Sequence, residues 1–230
     1  MIYLKAGLPL GLNSILLTEE NGPMTDRSYC SLTLASASPR RLDLLRQIGL
    51  TPDEIYHPNI DETPIPDESP RRLVERLATL KALAGANKFS RTYVLGADTV
   101  VACGRKLLGK AGDEQTARSY LELLSGRRHR VFGGICVIDP SGIIRSKAVE
   151  TIVTFKRLEE KDISLYLCGN EWRDKAGGYA IQGRAAAFVK KISGSYPNVV
   201  GLPIYETVNL LVGMRYRLSL IHISEPTRRY

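Results

Sequence analysis

Short apolar runs of strand length alternate along the chain with stretches in which apolar residues recur at helical spacing. The stretch after residue 38, for example, places Leu42 and Leu45 on one helical face and ends at Gly49. The same pattern predicts strands over residues 31–35, 54–57, 93–96, 99–102, 130–138, 143–155 and 187–192. It predicts helices over residues 39–49, 70–87, 113–124, 161–168 and 203–212.

This alternation predicts an α/β fold, in which a mixed twisted sheet is flanked by helices. The two longest strands are joined by the turn sequence DPSG at residues 139–142, so they are expected to pair with each other. Residues 61–67 and the glycine-bounded stretch 177–183 are predicted to be loops. Because the sequence holds no low-complexity linker, we expect one domain, over residues 24–213.

The two ends do not continue this pattern. Residues 1–23 precede an internal methionine, Met24, and are predicted to be a non-native or disordered extension. Residues 218–230, LSLIHISEPTRRY, resemble the translated adapter fragment that sometimes ends a predicted protein. We therefore predict that residues 214–230 are an artefactual tail.

Composition and charge narrow the class of protein. The apolar fraction of 43% is ordinary for a soluble protein, and no apolar run reaches the length of a membrane span. The net charge of +8 suggests an anionic partner. Since the sequence has no run of five basic residues and no interleaved aromatic residues, nucleic acid is disfavoured. A small substrate that carries phosphate accounts for the charge equally well.

Cysteine and histidine usage excludes a typical zinc site. The four cysteines include no CxxC pair, and the chain has only three histidines. We expect reduced, buried thiols in a cytoplasmic protein at Cys30, Cys103, Cys136 and Cys168.

The tetrapeptide SPRR occurs twice, at residues 38–41 and 69–72, and in each copy a serine precedes a proline that suits the first helical position. We predict that both serines, Ser38 and Ser69, cap helices. Before the first copy come an apolar strand and small residues, which let a ligand approach the backbone. Free N–H groups at a helix start and two arginines on its first turn suit phosphate. We therefore predict that Ser36, Arg40 and Arg41 bind phosphate.

The second SPRR copy is predicted to be structural. It follows the acidic sequence PDE at residues 66–68, which repels phosphate, and its arginines are expected to pair with Glu75. Neither copy belongs to a G-x-x-x-x-G-K-[ST] motif, so a Walker-type site is excluded.

Two carboxylates and two lysines complete the candidate chemistry. Asp98 lies in the apolar run LGADTVV, where an acid is costly to bury without a partner, and Glu62 lies in the sequence IDET. Both are candidates for binding a metal ion, and Asp98 for general base catalysis. Lys81 and Lys110 are candidates for stabilising phosphate charge. For single residues of these kinds, a turn-capping aspartate or a surface lysine is an equally simple reading.

The loop GGYAIQG at residues 177–183 carries one amide, that of Gln182. An amide both donates and accepts hydrogen bonds, so it can pair with a base edge, although a tight loop with an internally bonded glutamine explains the sequence as well. Trp172 is predicted to be a packing residue.

Six stretches together resemble the Maf family of nucleoside triphosphate pyrophosphatases. They are LASASPRR (34–41), IDE (60–62), RLAxxKA (76–82), GADTVV (96–101), KAGGYAIQG (175–183) and NVVGLP (198–203). The resemblance covers residues 31–213. It implies a fold like that of inosine triphosphatase, with a cleft between two lobes. It also implies a cytoplasmic enzyme that uses Mg²⁺ or Mn²⁺ and cuts between the α and β phosphates.

The resemblance also assigns roles to residues of this chain. Asp98 matches the proton acceptor of the family, and it implies that Asp98 and Glu62 hold the metal ion. The matched phosphate-binding positions are Ser36, Arg40, Arg41, Lys81 and Lys110. Arg41, Thr99 and Gln182 match positions that are associated with base choice. The family usually has proline after the lysine matched by Lys110, whereas this chain has Ala111 and Gly112, so we expect a looser loop there.

The segment KAGGYAIQG is similar to that of the subgroup that hydrolyses dTTP and UTP. The resemblance further implies a homodimer, removal of non-standard nucleotides and a link to cell-division arrest. Two alternatives remain open: hydrolysis of 7-methyl-GTP, and a non-enzymatic division regulator that binds nucleic acid or protein.

Overall fold

The computed structural model describes residues 31–217. Within them, the strands are Leu32–Ala35 (β1), Glu54–Tyr56 (β2), Tyr93–Cys103 (β3), Lys106–Leu108 (β4), Arg128–Ile138 (β5), Ile144–Phe155 (β6) and Val189–Ser193 (β7). The α-helices are Pro39–Gln47 (α1), Pro70–Lys88 (α2), Glu114–Leu124 (α3), Glu160–Cys168 (α4), Tyr196–Val200 (α5) and Ile204–Gly213 (α6), and Arg184–Phe188 is a 3₁₀-helix.

The strands form one mixed sheet in the order β2-β1-β3-β5-β6-β7, with β4 added beside β3. Strand β1 is parallel to β2 and β3, whereas β3, β5, β6 and β7 run antiparallel to their neighbours in that order. The predicted α/β fold with a mixed sheet is therefore confirmed. Among residues 31–217, no helix is both long and apolar enough to cross a membrane.

Strand β3 is paired unevenly along its two edges. One edge pairs with β5 from Val94 to Ala102. The opposite edge pairs with β1 from Tyr93 to Gly96 and then with β4 from Val101 to Cys103. Between these two partners lie residues 97–100, which we call the edge gap. Strand β1 ends beside Gly96, and the chain that follows it turns away from the sheet into α1. The edge of β3 is therefore open at these four residues, and the resulting recess contains Asp98 and Thr99.

Helices cover both faces of the sheet. Apolar residues of α2, among them Ala78 and Ala82, pack on Val94 and Cys136. On the opposite face, α1, α3, α4 and α6 pack on β3 and β5 through side chains such as Leu45, Leu121, Leu167 and Leu211. Since neighbouring strand residues point to opposite faces, Asp98 faces α2 and Thr99 faces α1.

Helix α2 approaches the sheet so closely that β5 needs a glycine beneath it. A Cβ atom at Gly134 would contact the backbone of Val74 and would lie 3.0 Å from the backbone nitrogen of Glu75. Backbone atoms of a packed helix cannot move aside as a flexible side chain can. The glycine therefore fixes the distance between α2 and the sheet, and with it the position of the α2 side chains.

Several elements differ from the sequence predictions. The two predicted strands at 93–96 and 99–102 are one continuous strand, because Asp98 has partners and does not interrupt the pairing with β5. Strand β4 and helix α5 were not predicted; they contain three and five residues, too few for a periodic pattern. The last strand was predicted over residues 187–192 but begins at Val189, because a 3₁₀-helix occupies residues 184–188.

The cysteines are partly as expected. Cys103, Cys136 and Cys168 are free thiols, and the first two are buried. The expectation of burial is wrong for Cys168, which is exposed at the last position of α4. Cys30 lies outside the described residues.

The chain packs onto the core up to the end of the described region. Met214 is buried, its backbone oxygen accepts a hydrogen bond from the Tyr93 hydroxyl at 2.9 Å, and Tyr216 stacks edge-on against Tyr93. The predictions for residues 1–23 and 218–230 lie outside the described residues, and the division of the chain at residues 24 and 213 stays a prediction.

Substituting Gly134→Ala should lower the free energy of unfolding by about 1–3 kcal/mol, because the added methyl group pushes α2 off the sheet. Urea denaturation measures this loss. Gly213→Ala is the control: nothing lies within 4 Å of a Cβ there, so alanine should be neutral or stabilising. Equal stabilities of the two variants would contradict the proposed close packing.

Candidate active site

The edge gap of β3 opens into a cavity of about 390 Å³. The two arginines, two carboxylates and two lysines predicted from the sequence all line this cavity. Every candidate residue from the sequence lines this one cavity, namely Ser36, Arg40, Arg41, Glu62, Lys81, Asp98, Thr99, Lys110 and Gln182. Asp98 and the two arginines therefore face the same cavity and not separate surfaces.

The buried guanidinium group of Arg41 ties three chain segments together. Its Nε donates to the backbone oxygen of Gly201 at 2.9 Å, and its Nη1 donates to the Ser36 hydroxyl at 2.7 Å. Its Nη2 donates to the Thr99 hydroxyl at 3.1 Å. These three bonds use three of the five N–H groups of an arginine, so two remain to donate to a ligand.

Arg40 lies beside Arg41 and is held by the same segment. Its Nε donates to the backbone oxygen of Val200 at 3.2 Å. Partial burial lowers the pKa of Arg40, and the charge of Asp174 opposes this effect. For Arg41, burial lowers the pKa, while the nearby charge of Asp98 raises it. Both groups keep their positive charge at neutral pH, because an arginine pKa starts above 12.

The two SPRR copies differ in the bonds that their serines make. Ser69 caps α2, since its hydroxyl accepts from the backbone N–H of Arg72 at 3.3 Å. Ser38 precedes α1 without any such side-chain bond, and its own backbone N–H donates to the Ser36 hydroxyl at 3.2 Å. The predicted capping role of Ser38 is therefore wrong, since its side chain accepts no N–H group at the start of α1.

The expected ion pairs between the second SPRR copy and Glu75 are not formed among residues 31–217. The Glu75 carboxylate instead accepts from the Ser146 hydroxyl at 2.7 Å.

A lysine joins the two carboxylates. Lys81 is buried, and its Nζ lies 2.6 Å from Asp98 Oδ1 and 2.6 Å from Glu62 Oε1. Lys110 adds a second cation, with its Nζ 3.7 Å from Glu62 Oε2. Burial raises the pKa of Glu62, but its bond to Lys81 and the charges of Lys81, Lys110 and Arg41 outweigh this, so the pKa is lowered overall. Glu62 is thus ionised at neutral pH.

The remaining predicted residues lie at the rim and the wall of the cavity. Thr99 donates to the backbone oxygen of Gly201 at 3.3 Å while it accepts from Arg41. Gln182 is exposed, so its amide is accessible from the cavity mouth. The loop that carries Lys110 is held in place, because Lys110 and Ala111 form backbone bridges with Ala176 and Arg173. That the loop is looser than it would be with proline stays a prediction.

Sequence reasoning missed most of the apolar wall. Val101, Val131, Val199 and Tyr179 line the cavity, together with the polar residues Asp174 and Lys175. The valines and Tyr179 resemble ordinary core residues in sequence, and no local signal distinguishes them. Trp172 is a packing residue, as predicted: it is buried, and its indole N–H donates to the backbone oxygen of Leu167 at 3.1 Å.

The Tyr179 side of the wall rests on a buried histidine. His129 Nε2 lies 2.7 Å from the Tyr179 hydroxyl, and the two rings stack edge to face with Phe155. Burial raises the pKa of Tyr179 and lowers that of His129 to about 4. His129 is therefore neutral in the folded protein throughout the physiological pH range.

The carboxylates suit a hard divalent cation. Among the described residues, no group of three or more histidine, cysteine, aspartate or glutamate side chains surrounds one point. Asp98 and Glu62 line the same cavity, however, and Mg²⁺ is usually held by one or two carboxylates together with water and substrate phosphates. The donor set therefore fits a cation that arrives with a phosphate ligand.

Comparison with known proteins finds similar proteins over most of the chain. A family model described as Maf-like protein matches residues 31–214. A protein of Rhodospirillum rubrum named dTTP/UTP pyrophosphatase is 56% identical over 83% of this chain and 91% of its own length. A Paramagnetospirillum magneticum protein of the same name is 57% identical over 80% of this chain and 97% of its own length. The solved structure of the Staphylococcus aureus Ham1 protein aligns with a TM-score of 0.47 at 14% identity, over 80% of this chain and 99% of that one.

The neutral, buried His129 should make stability depend on pH. Its pKa falls from about 6.5 in the unfolded chain to about 4 in the fold, so only the unfolded state takes up a proton between these values. Stability is thus full above pH 6.5 and falls as the pH drops, by about 2 kcal/mol at pH 5. His129→Gln should remove this part of the loss. Urea unfolding at pH 7.5 and pH 5 tests it, and parallel pH curves for the two proteins would contradict it.

Proposed function

Because the chain belongs to the Maf-like protein family, we propose that it hydrolyses nucleoside triphosphates, with dTTP and UTP as its substrates. The products are the nucleoside monophosphate and pyrophosphate. The names of the two relatives described above support this substrate class, since these two proteins are at least 56% identical over at least 80% of the chain.

One observation carries the proposal: cations and carboxylates that are far apart in sequence line a single cavity. A triphosphate needs several cationic donors on its oxygens, and its hydrolysis is favoured by a general base that takes a proton from water. Arg40, Arg41, Lys81 and Lys110 supply the cations. The Asp98 carboxylate supplies the base, beside Glu62.

In the proposed reaction, the cationic side chains bind and orient the phosphates. The remaining N–H groups of Arg41 and the Lys81 ammonium stabilise the charge that develops as the anhydride bond breaks. Ser36 holds Arg41 in this position and lies at the start of α1, where backbone N–H groups also favour an anion.

Asp98 accepts the proton. A water molecule attacks the α phosphorus, its oxygen forms the new P–O bond, and the bond from the α phosphorus to the bridging oxygen breaks. Pyrophosphate leaves with the electron pair of that bond. The proton lost by water passes to the Asp98 carboxylate, whose other oxygen is held by Lys81.

Asp98 and Glu62 would hold a divalent ion, Mg²⁺ or Mn²⁺, together with the substrate. When bound, the ion would neutralise phosphate charge and favour deprotonation of water.

Gln182 is the proposed reader of the base. Its amide can donate to O4 and accept from N3–H of uracil or thymine, which makes a reciprocal pair. We further propose that the enzyme acts in the cytoplasm as a homodimer. Its proposed cellular role is removal of non-standard nucleotides, with a link to cell-division arrest.

Asp98→Asn should lower the rate of pyrophosphate release from dTTP by at least about 10³-fold, because an amide cannot accept the proton of water. A coupled pyrophosphate assay with Mg²⁺ or Mn²⁺ measures the rate. Asp43→Asn changes an exposed aspartate that lies outside the cavity and is the matched control, with unchanged activity.

Release of orthophosphate alone would contradict the proposed bond cleavage. Tight and steeply salt-dependent binding of DNA or RNA, unaffected by Asp98→Asn, would favour the regulator instead.

Gln182→Ala should reduce kcat/KM for dTTP and UTP about 10–100-fold and leave the low rates with purine nucleotides unchanged, because a base-edge bond is lost. A substrate panel with dTTP, UTP, dCTP, GTP and 7-methyl-GTP measures this. If 7-methyl-GTP is the best substrate of the wild type, the substrate assignment is wrong although the reaction class stands.

A further inference from the structure

The positions of both active-site arginines depend on one short segment, residues 198–203, which we call the strap. Its backbone oxygens at Val200 and Gly201 accept the Nε–H groups of Arg40 and Arg41, at 3.2 and 2.9 Å. Gly201 also accepts from the Thr99 hydroxyl at 3.3 Å. The strap is thus the wall against which the guanidinium groups are aligned, so any shift of the strap shifts both.

One side chain anchors the strap to the sheet. Asn198 is completely buried, and its amide nitrogen donates to the backbone oxygens of Val131 and Val149 at 3.3 and 3.4 Å. It also lies 3.0 Å from the Thr151 hydroxyl. That hydroxyl in turn accepts from the backbone N–H of Ser195 at 3.1 Å. Ser195, just before the strap, and Asn198, at its start, are therefore both bonded to the neighbouring strands.

The strap packs closely on β5 because the β5 residue beneath it, Gly133, has no side chain. A Cβ atom at Gly133 would overlap the Asn198 carbonyl oxygen and would lie 3.5 Å from Pro203 Cδ. Gly133 is the β5 residue opposite Thr99, and the next residue along this row of the sheet is Val149. The Asn198 contact is therefore one strand away from the hydroxyl that receives Arg41.

Burying Asn198 costs free energy, and this cost indicates a role besides packing. The Asn198 carbonyl oxygen is buried without a hydrogen-bond partner among the described residues, although buried polar atoms are almost always paired. An apolar side chain of similar volume would avoid this cost. It would supply no donor for the two strand oxygens and would leave the strap unfixed in register.

We propose that Asn198 is a positioning residue, which sets the arginines for the phosphates through the strap. This inference rests on the proposed function and extends it: Asn198 touches no substrate and acts through the backbone oxygens of Val200 and Gly201. Arg41 is its main target because it is buried and makes three fixed bonds.

A double-mutant cycle tests the proposal. Asn198→Asp keeps the shape but replaces the donating amide with an oxygen that repels the strand oxygens. It should lower kcat for dTTP about 30–100-fold, since misplacement by about 1 Å costs this much. Arg41→Lys, which loses the forked donor, should cost about 100-fold. If Asn198 acts through Arg41, the double variant should resemble Arg41→Lys alone to within about threefold.

Two further variants distinguish a positioning role from a simple loss of stability. Thr33→Val removes a buried hydroxyl that contacts Thr92 away from the cavity, so it should lower stability without lowering kcat. Thr151→Val leaves Asn198 in place and removes its hydroxyl partner. It should lower kcat about 3–10-fold, and only when Arg41 is present. This second cycle carries the test if Asn198→Asp does not fold.

Multiplicative losses in both cycles would overturn the positioning role while leaving the proposed function intact. A loss of kcat in Thr33→Val equal to that in Asn198→Asp would also overturn it, because destabilisation alone would then explain the effect. A wild-type protein that releases no pyrophosphate from any triphosphate would overturn the proposed function and this inference with it.

Discussion

The bonds of the Arg41 guanidinium are the constraint on which the rest of the site depends. A buried cation is costly unless its donors find acceptors, and here the acceptors come from the end of β1, the middle of β3 and the strap. Each bond uses a neutral oxygen, so the charge of Arg41 is not cancelled by the contacts that fix it. The nearby carboxylate of Asp98 moderates that charge without a direct bond. The arginine is thereby rigid and still able to attract an anion.

The lysine that joins the carboxylates has the complementary role. In the free protein, Lys81 keeps Asp98 and Glu62 close although they would repel each other. Glu62 comes from a loop, whereas Asp98 and Lys81 come from elements whose distance is fixed by the close contact of α2 with β5 at Gly134. The distance between α2 and the sheet therefore sets the distance between Lys81 and Asp98.

Much of this was predictable from sequence because its signals are local. The mixed sheet, the long hairpin of β5 and β6 and the helix starts at Pro39 and Pro70 follow from periodicity and proline placement. The polar site residues were predictable because charged groups inside apolar runs stand out, as Asp98 does. Resemblance to a family then grouped them.

What the sequence could not show depends on contacts between distant segments. The partners of Asn198 are set by the register of β5 against β6, and the burial of His129 by the rings of Phe155 and Tyr179, which come from separate segments. Strand β4 is too short to have a period, and Ser38 has the sequence of a capping residue without the bond. These features arise only when the chain has closed on itself.

At the edge gap, the two faces of β3 are approached by different cationic side chains. Asp98 and Thr99 are neighbours in sequence but face opposite sides of the sheet, so the lysine reaches the acid from one side while Arg41 approaches from the other. Lys81 and Arg41 therefore enter the same cavity from opposite faces of the sheet. A slip of one residue in the pairing of β3 would exchange the two sides, but β5 pairs with β3 at nine consecutive positions and prevents it. The strand that carries the acid is therefore the fixed frame of the cavity.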